Sequence, residues 1–160
     1  VEADVLTPAQ SQSIRTTLTP EAGATWLQRS KFLRSELRTL AEKLATHKPV
    51  PESSITAINN SLSQRPGYLQ LTKTKRGFEQ RFHSIVYAHN GLMAPIAEAA
   101  SQLLCHATLT FIRKCANDDC ILYFYDNSKN HTRTWCSMQL CGNRMKVAAF
   151  FERRRRRAHS

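Results

Sequence analysis

Four cysteines within 27 residues constrain the fold of this 160-residue chain more than any other feature. They form two equal pairs, Cys115-x4-Cys120 and Cys136-x4-Cys141, separated by fifteen residues. Structural zinc takes four ligands at tetrahedral corners, commonly all thiolates, and two close pairs can share one ion where the chain turns between them. We therefore predict one structural Zn²⁺ on these four thiolates. Such a closed shell leaves no position for a reactive water, so catalytic zinc is not expected.

The cysteine count also indicates the redox compartment. The fifth cysteine, Cys105, lies outside the pattern, and Val1–Thr7 lack the basic and apolar segments of an export signal. An odd cysteine count without an export signal favours a reducing, cytoplasmic setting. There the cluster indicates metal ligands first; reduced core cysteines and disulfides are the alternatives. No run of 18 apolar residues occurs, so no membrane span is expected. The C-terminal helix lacks the broad apolar side of a membrane-surface helix, so no membrane partner is expected either.

Positive charge is concentrated in the segment that carries the cysteine pattern. The whole chain has a net charge of +11. Residues 1–112 hold 12 basic and 8 acidic side chains, whereas residues 113–160 hold 11 basic and only 4 acidic ones. Such density predicts a polyanionic partner, nucleic acid before an anionic membrane.

The segment before the cysteines predicts helices and one hairpin. Thr7-Pro8 and Thr19-Pro20 are typical helix starts, with threonine as N-cap and proline in the first turn. Apolar residues then recur at helical spacing in three stretches, and near-alternation predicts a hairpin between the last two. The expected elements are helices from Pro8 to Thr16, from Pro20 through His47 and from Pro51 to Pro66, strands Tyr68–Thr74 and Phe78–His83 around a Lys75–Gly77 turn, and a helix near Met93–Leu104.

The cysteine segment predicts a small module of its own. Ile121–Tyr125 has strand character, and a helix is expected from about Gly142 to Arg157. The fold class is therefore α+β and mostly α, with a helical N-terminal domain and hairpin followed by a treble-clef or ribbon-like four-cysteine zinc module. The expected domains are residues 1–109 and 110–157, with 158–160 as a tail.

The residues around the second cysteine pair resemble a known zinc finger. Trp135-Cys-Ser-Met-Gln-Leu-Cys-Gly-Asn-Arg144 is similar to the CGNR zinc finger, and Arg113-Lys-Cys115 and Cys120-Ile-Leu-Tyr-Phe-Tyr-Asp126 fit the same pattern. The preceding region resembles the ABATE domain, through Leu92-Met-Ala-Pro-Ile-Ala97 and the order of its elements. The resemblance implies a bacterial stress-induced transcription regulator with a zinc-stabilised DNA-binding module. It also implies an additional N-terminal segment, so we expect this chain to be truncated at its start.

The predicted C-terminal helix has two different sides. At 100° per residue, Val147, Ala148 and Phe151 cluster on the side expected to face the module's core. The phosphate-binding residues are expected on another side and in the arginine run that ends the helix. Turn residues before the second cysteine pair are expected to add backbone contacts. The predicted nucleic-acid contacts are Lys146, Arg153, Arg154 and Arg157, with Lys129 and Arg133 from the turn.

Three further residues of the finger allow two interpretations each. Arg144 falls on the expected core side, which favours a structural bond to Asp126 or to zinc-loop carbonyls over DNA contact. Asn143 is suited to capping the helix, and also to reading adenine. Trp135 is expected to pack over the zinc site rather than on a base. Arg144 and Asn143 remain candidate DNA contacts.

The function predicted from the sequence is zinc-dependent regulation of transcription through double-stranded DNA. The N-terminal domain is expected to sense an unknown small-molecule effector, to form a homodimer, or both. The alternative is a zinc-ribbon module that binds protein or RNA through a generic basic surface. No enzyme is expected, because the chain has no phosphate-binding loop, dinucleotide fingerprint or nucleophile elbow.

Overall fold

Helices dominate the chain, and the strands form two small antiparallel sheets. The computed structural model describes residues 8–64, 67–75, 77–84 and 89–158. Among these residues, no helix combines the length and apolar character needed to cross a bilayer. In chain order the helices and strands are α1 (Pro8–Thr17), α2 (Pro20–Ala45), α3 (Glu52–Leu62), β1 (Gly67–Thr74), β2 (Gly77–Ser84), α4 (Ala94–His106), β3 (Ile112–Lys114), β4 (Tyr123–Tyr125) and α5 (Asn143–Ala158). The mostly α fold with a small hairpin is confirmed.

The long helix α2 begins and buries its apolar side as the sequence predicts. Thr19 Oγ1 accepts a hydrogen bond from the backbone N–H of Ala22 at 3.3 Å, so it caps the first turn. Leu33, Leu40 and Leu44 are buried along one side, at the spacing of an amphipathic helix. The other predicted cap, Thr7, lies outside the described residues.

The chain divides into two compact units. The first contains the chain up to Leu37 together with Pro51–Ala107, and the second contains Arg38–Val50 together with the chain from Thr108 onward. The second unit therefore includes the C-terminal part of α2 as well as the cysteine module. Its buried side chains are Leu40, Leu44, Ile112, Cys115, Asn117, Asp126 and Cys141.

In the first unit, α3 packs on α4 and is tied to α2 by a buried hydroxyl. Ser54 is fully buried, and its Oγ donates a hydrogen bond to Glu36 Oε2 at 3.0 Å. Ser53 Oγ donates to the same carboxylate oxygen at 3.0 Å. Ala57 and Ala97 are buried among the small residues of α3 and α4. Small side chains allow close packing of helices, so this region forms the core of the unit.

The hairpin of β1 and β2 is paired from end to end, but most of its apolar residues with described side chains are exposed, namely Tyr68, Leu69, Leu71 and Phe78. Gly67 is opposite Ser84, and Thr74 is opposite Gly77. Gly77 therefore belongs to the strand rather than to the turn, and its φ of 127° is in a region that glycine tolerates. Every residue of β1 is exposed, so the alternation in its sequence does not bury a face among the described residues.

Candidate metal centre and basic helix

The first cysteine pair lies in the loop that joins the two strands of a short hairpin. Strands β3 and β4 pair antiparallel, with Cys115 directly after β3. The Cys115 N–H donates to the carbonyl of Leu122 at 3.0 Å, and the Cys120 N–H donates to that of Asn117 at 2.8 Å. Asn117 Oδ1 accepts from the N–H of Asp119 at 3.3 Å, which closes an Asx turn between the cysteines. The predicted turn between the two ligands is confirmed.

The second pair lies where the chain enters α5. Residues Met138–Gly142 form a π-helical turn that runs directly into α5, and this turn contains Cys141. The Ser137 side chain accepts from the N–H of Leu140 at 3.3 Å, so Ser137 caps the turn. A Cβ at Gly142 would press on the end of the Met138 side chain and lie only 3.1 Å from Trp135 Cδ1, so a larger residue here requires both side chains to shift.

The four sulfur atoms form a cluster of the size that zinc requires. Cys115, Cys120, Cys136 and Cys141 place their Sγ atoms within 4.8 Å of one another. The Cys120–Cys136 and Cys136–Cys141 Sγ distances are 3.8 Å and 3.6 Å. A Zn–S bond of about 2.3 Å in a tetrahedron separates neighbouring sulfurs by about 3.8 Å. None of the five cysteines is in a disulfide. The donor set therefore fits one structural Zn²⁺, as the sequence predicts.

The thiol pKa values show why this cluster needs a cation. Burial raises the pKa of Cys115, but hydrogen bonds from the backbone at Cys136 and Asn117 outweigh burial and lower it to about 7. At Cys136, burial, the neighbouring thiols and the charge of Cys115 together raise the pKa to about 12. A negative charge on one sulfur therefore makes deprotonation of the next thiol less favourable. A divalent cation among the sulfurs offsets the repulsion between the thiolates and favours deprotonation, because thiolate is the form that binds metal.

Hydrogen bonds to the sulfur atoms orient the ligands. The Cys136 N–H lies 3.4 Å from Cys115 Sγ, and Asn117 Nδ2 lies 3.6 Å from Cys141 Sγ. Both contacts link a residue of one pair to a sulfur of the other. Asn117 is 2% exposed, so its amide is fixed where it donates. Asn117 therefore both closes the turn between the first two cysteines and donates to a sulfur of the second pair, and the second role depends on the approach of the two pairs.

A buried carboxylate organises the loop between β4 and the second pair. Asp126 is fully buried, and its Oδ1 accepts from the hydroxyl of Ser128 at 2.6 Å and from the Ser128 N–H at 3.0 Å. Its Oδ2 accepts from the Arg133 N–H at 3.0 Å and lies 3.7 Å from Arg113 Nε. Burial raises the pKa of Asp126, but these hydrogen bonds and the Arg113 charge outweigh burial and hold the pKa below its ordinary value.

The guanidinium of Arg133 is engaged within the zinc loops. Its Nε donates to the carbonyl of Trp135 at 2.8 Å, and an Nη donates to the carbonyl of Cys136. The guanidinium also lies 4.8 Å from the centre of the Phe124 ring. The structural role that the sequence analysis gave to Arg144 is therefore filled by Arg133, and the partner of Asp126 is Arg113.

Arg144 is exposed, and the prediction that it bonds Asp126 or the loop carbonyls is wrong. Within the part of the chain that the structure describes, its side chain forms no hydrogen bond or ion pair. The cap prediction for Asn143 is also wrong, because the helical path begins five residues earlier at Met138 and Ser137 caps it. Trp135 is half-buried, beside the backbone of Gly142. Trp135 therefore lies beside the π-turn that carries Cys141, in agreement with its predicted position at the metal site.

Helix α5 packs none of its side chains into a core. Met145 is half-buried, and the other residues of Asn143–Ala158 are exposed. Val147 and Phe151 are 54% and 58% exposed, so the prediction that they and Ala148 face the module's core is wrong. The apolar residues of α5 do recur at helical spacing, but α5 is held by its contacts with the π-turn that precedes it. α5 contacts that turn and projects from the metal centre.

The predicted phosphate-binding side chains are brought together on this exposed helix. Lys146, Arg153, Arg154 and Arg157 are all exposed, as is Lys129 in the loop. The only acid of α5, Glu152, pairs with Arg156 at 3.0 Å. The helix therefore presents a strongly positive surface immediately after a metal ligand.

Two family models together match nearly the whole chain. A model described as the CGNR zinc finger matches residues 112–155 and thus contains all four clustered cysteines. A model named ABATE, described as a putative stress-induced transcription regulator, matches residues 2–107. Both matches agree with the resemblance seen in the sequence. No curated protein matches the chain.

Proposed function

We propose that this chain, which belongs to the ABATE family and ends in a CGNR zinc finger, regulates transcription by binding double-stranded DNA through α5. The observation that carries the proposal is the position of Cys141, a metal ligand in the π-turn that leads directly into an exposed basic helix. Holding that cysteine fixes the direction in which α5 leaves the module. Zinc, when bound, supplies the charge that holds the four thiolates together.

The basic side of α5 supports contact with phosphates. Lys146, Arg153 and Arg157 are separated by seven and four residues, so they lie within about 40° of one another on the helix. Cations on one side of a helix can follow a duplex backbone, and each neutralised phosphate releases counterions. Arg154, Arg144 and Lys129 are also exposed and are proposed as further contacts, although Arg144 lies on the opposite side of α5.

The remaining two candidates differ in accessibility. Asn143 is exposed at the start of α5, so its amide is accessible for a base edge. Arg133 uses its guanidinium on loop carbonyls, and we assign it to positioning the loop rather than to binding phosphate. In this arrangement the first turn of α5 would read the DNA sequence, and the arginines of α5 would supply affinity by binding phosphates.

The proposal is tested by selecting DNA fragments with the zinc-loaded chain at low and at fourfold higher salt. A recovered sequence motif that persists at the higher salt supports base readout. The matched variants replace Lys146, Arg153 and Arg157 by Gln, or instead the exposed Lys31, Arg34 and Lys75. Both lose three charges, but only the first should lower the salt slope, by about 2.7 if each residue contacts one phosphate.

The rival function is a zinc-ribbon module that binds RNA or protein through a generic basic surface. It predicts recovery of fragments without a motif and loss of binding on the order of several hundredfold at fourfold salt, for about five neutralised phosphates. Equal effects of the two triple variants would also favour it, because total charge rather than the position of α5 would then matter.

A cleft in the first unit supports effector sensing by the N-terminal domain. It has a volume of about 740 Å³, within the range of small-molecule sites. Its walls combine apolar side chains such as Phe32 and Leu33 with polar ones such as Asn60 and Gln64. Native mass spectrometry of the full chain would test both roles, since a retained small molecule supports sensing and a doubled mass supports a homodimer. A bare monomer at working concentration would contradict both expected roles. We propose no enzymatic activity.

A further inference from the structure

Phe150 is an exposed aromatic ring on the basic side of α5. Its side chain is 49% exposed, although phenylalanine is usually buried. With 100° per residue, Phe150 lies within about 60° of Lys146, Arg153 and Arg157. The ring therefore projects on the same side as the cations that the proposed function assigns to phosphates. Its burial does not stabilise the module, because α5 packs no residue into a core.

Two neighbours fix the surroundings of this ring. The guanidinium carbon of Arg154 lies 5.9 Å from the Phe150 ring centre, at the outer limit of a cation–π contact. The Phe151 ring meets Phe150 edge to face, with centres 5.6 Å apart. An exposed ring beside guanidinium groups is the arrangement on which nucleobases stack, since every base offers a flat π face.

Charge decides among the surfaces that this ring could meet. α5 holds seven basic residues and one acid, so pairing with a second copy of α5 would bring like charges together. A membrane helix needs a continuous apolar side, whereas Arg154 lies between Phe150 and Phe151 on the helix surface. A polyanion that also offers aromatic faces satisfies both the cations and the ring.

We propose that Phe150 stacks on a nucleobase that is unstacked from its neighbour while Lys146 and Arg153 contact the adjacent phosphates. This inference rests on the proposed function and specifies how α5 meets DNA. Apolar side chains that enter a base step partly unstack it and bend the duplex. A duplex in which a central step is already unstacked should therefore be bound more tightly than a fully paired one.

The test compares two short duplexes of the same length, one fully paired and one with adjacent mismatches at its centre. The zinc-loaded full chain should prefer the mismatched duplex. Phe150→Ala should abolish that preference and weaken binding to the mismatched duplex by about 5- to 150-fold, the range for losing one stacked base. Phe78→Ala is the matched control, because it removes an exposed phenylalanine ring outside α5 and should retain the preference.

Each outcome separates this inference from the proposed function. Binding of both duplexes with equal affinity, unchanged by Phe150→Ala, overturns the stacking role and leaves DNA binding intact. Loss of preference in Phe78→Ala as well would contradict the assignment, because the preference would then not depend on a ring on α5. Absence of binding to either duplex overturns both proposals. Phe150-dependent binding to phosphatidylserine vesicles, without binding to DNA, assigns the ring to a membrane. Zinc content and circular dichroism verify that each variant is folded.

Discussion

The backbone N–H of Arg133 donates a hydrogen bond of 3.0 Å to the fully buried carboxylate of Asp126. The same arginine reaches the carbonyls of Trp135 and Cys136 with its side chain. One residue thus connects the buried carboxylate to the second cysteine pair. The geometry of the metal ligands depends on this loop as well as on the metal.

The first prediction concerns the charge of Asp126. Asp126→Asn keeps the shape but places an amide N–H among groups that donate, so the thermal midpoint of the zinc-loaded module should fall by several degrees at neutral pH. The folded pKa of Asp126 is lowered, so its stabilisation is present above its unfolded pKa of about 3.9 and is lost as the pH falls through the folded value. The deficit of the variant should therefore shrink in acid.

Thermal melts of both proteins across this pH range check the sign, with zinc occupancy measured in parallel. Only the difference between the two proteins is informative, because acid also protonates the thiolates. A deficit that grows as the pH falls would contradict the assigned direction of the Asp126 pKa shift.

The second prediction separates the roles of two arginines. Arg133→Lys loses the planar group that bonds two carbonyls, and should lower the free energy of unfolding by about 1–3 kcal/mol. Arg144→Lys replaces an exposed side chain and should change it by less than about 0.5 kcal/mol. Chemical denaturation of both zinc-loaded variants measures this difference. A greater loss in Arg144→Lys would restore the interpretation made from the sequence.

The sequence predicts the ligands well because their spacing alone limits how they can share a metal. The arginine roles are less predictable. Arg113, Arg133 and Arg144 have the same chemistry, and which of them bonds the carbonyls of Trp135 and Cys136 depends on where the chain places those carbonyls and the ring of Phe124. Those positions follow from the closed loop, which no local pattern specifies.

The orientation of α5 illustrates a second limit of sequence patterns. Periodicity shows that Val147, Ala148 and Phe151 share one side of the helix, but it does not show that a core lies opposite. Apolar residues on the solvent side of a helix and apolar residues on its core side have the same spacing in the sequence. The error therefore arose from assuming that apolar side chains of a helix always find a core within their own module.

The third prediction concerns the buried hydroxyl that joins α3 to α2. Ser54→Ala removes the donor to Glu36 and should lower the free energy of unfolding by about 1 kcal/mol. Ser53→Ala removes an exposed donor to the same oxygen and should have a smaller effect. Equal losses in denaturant melts of the two variants would show that burial of Ser54 does not strengthen its bond.

The fourth prediction concerns the ligand set. Cys136→Ser should reduce bound zinc and unfold the module, because structural zinc contributes on the order of 10–16 kcal/mol to the folding of small fingers. Cys105→Ser is the matched control, since Cys105 is exposed and outside the cluster. Metal content by mass spectrometry and near-ultraviolet circular dichroism report the two effects. A Cys136→Ser protein with full zinc and an intact module would contradict the four-thiolate site.

The central claim is that the metal centre positions α5 for DNA. Its most direct test is a fluorescence anisotropy titration of one labelled duplex with the full chain as zinc-loaded protein, after chelation, and after zinc is restored. We expect tight binding, a loss of binding by at least about tenfold on chelation, since helix and ligand are joined at Cys141, and full recovery with zinc. Binding that is unchanged after complete removal of zinc would contradict the claim, because the arginines would then act without the fold.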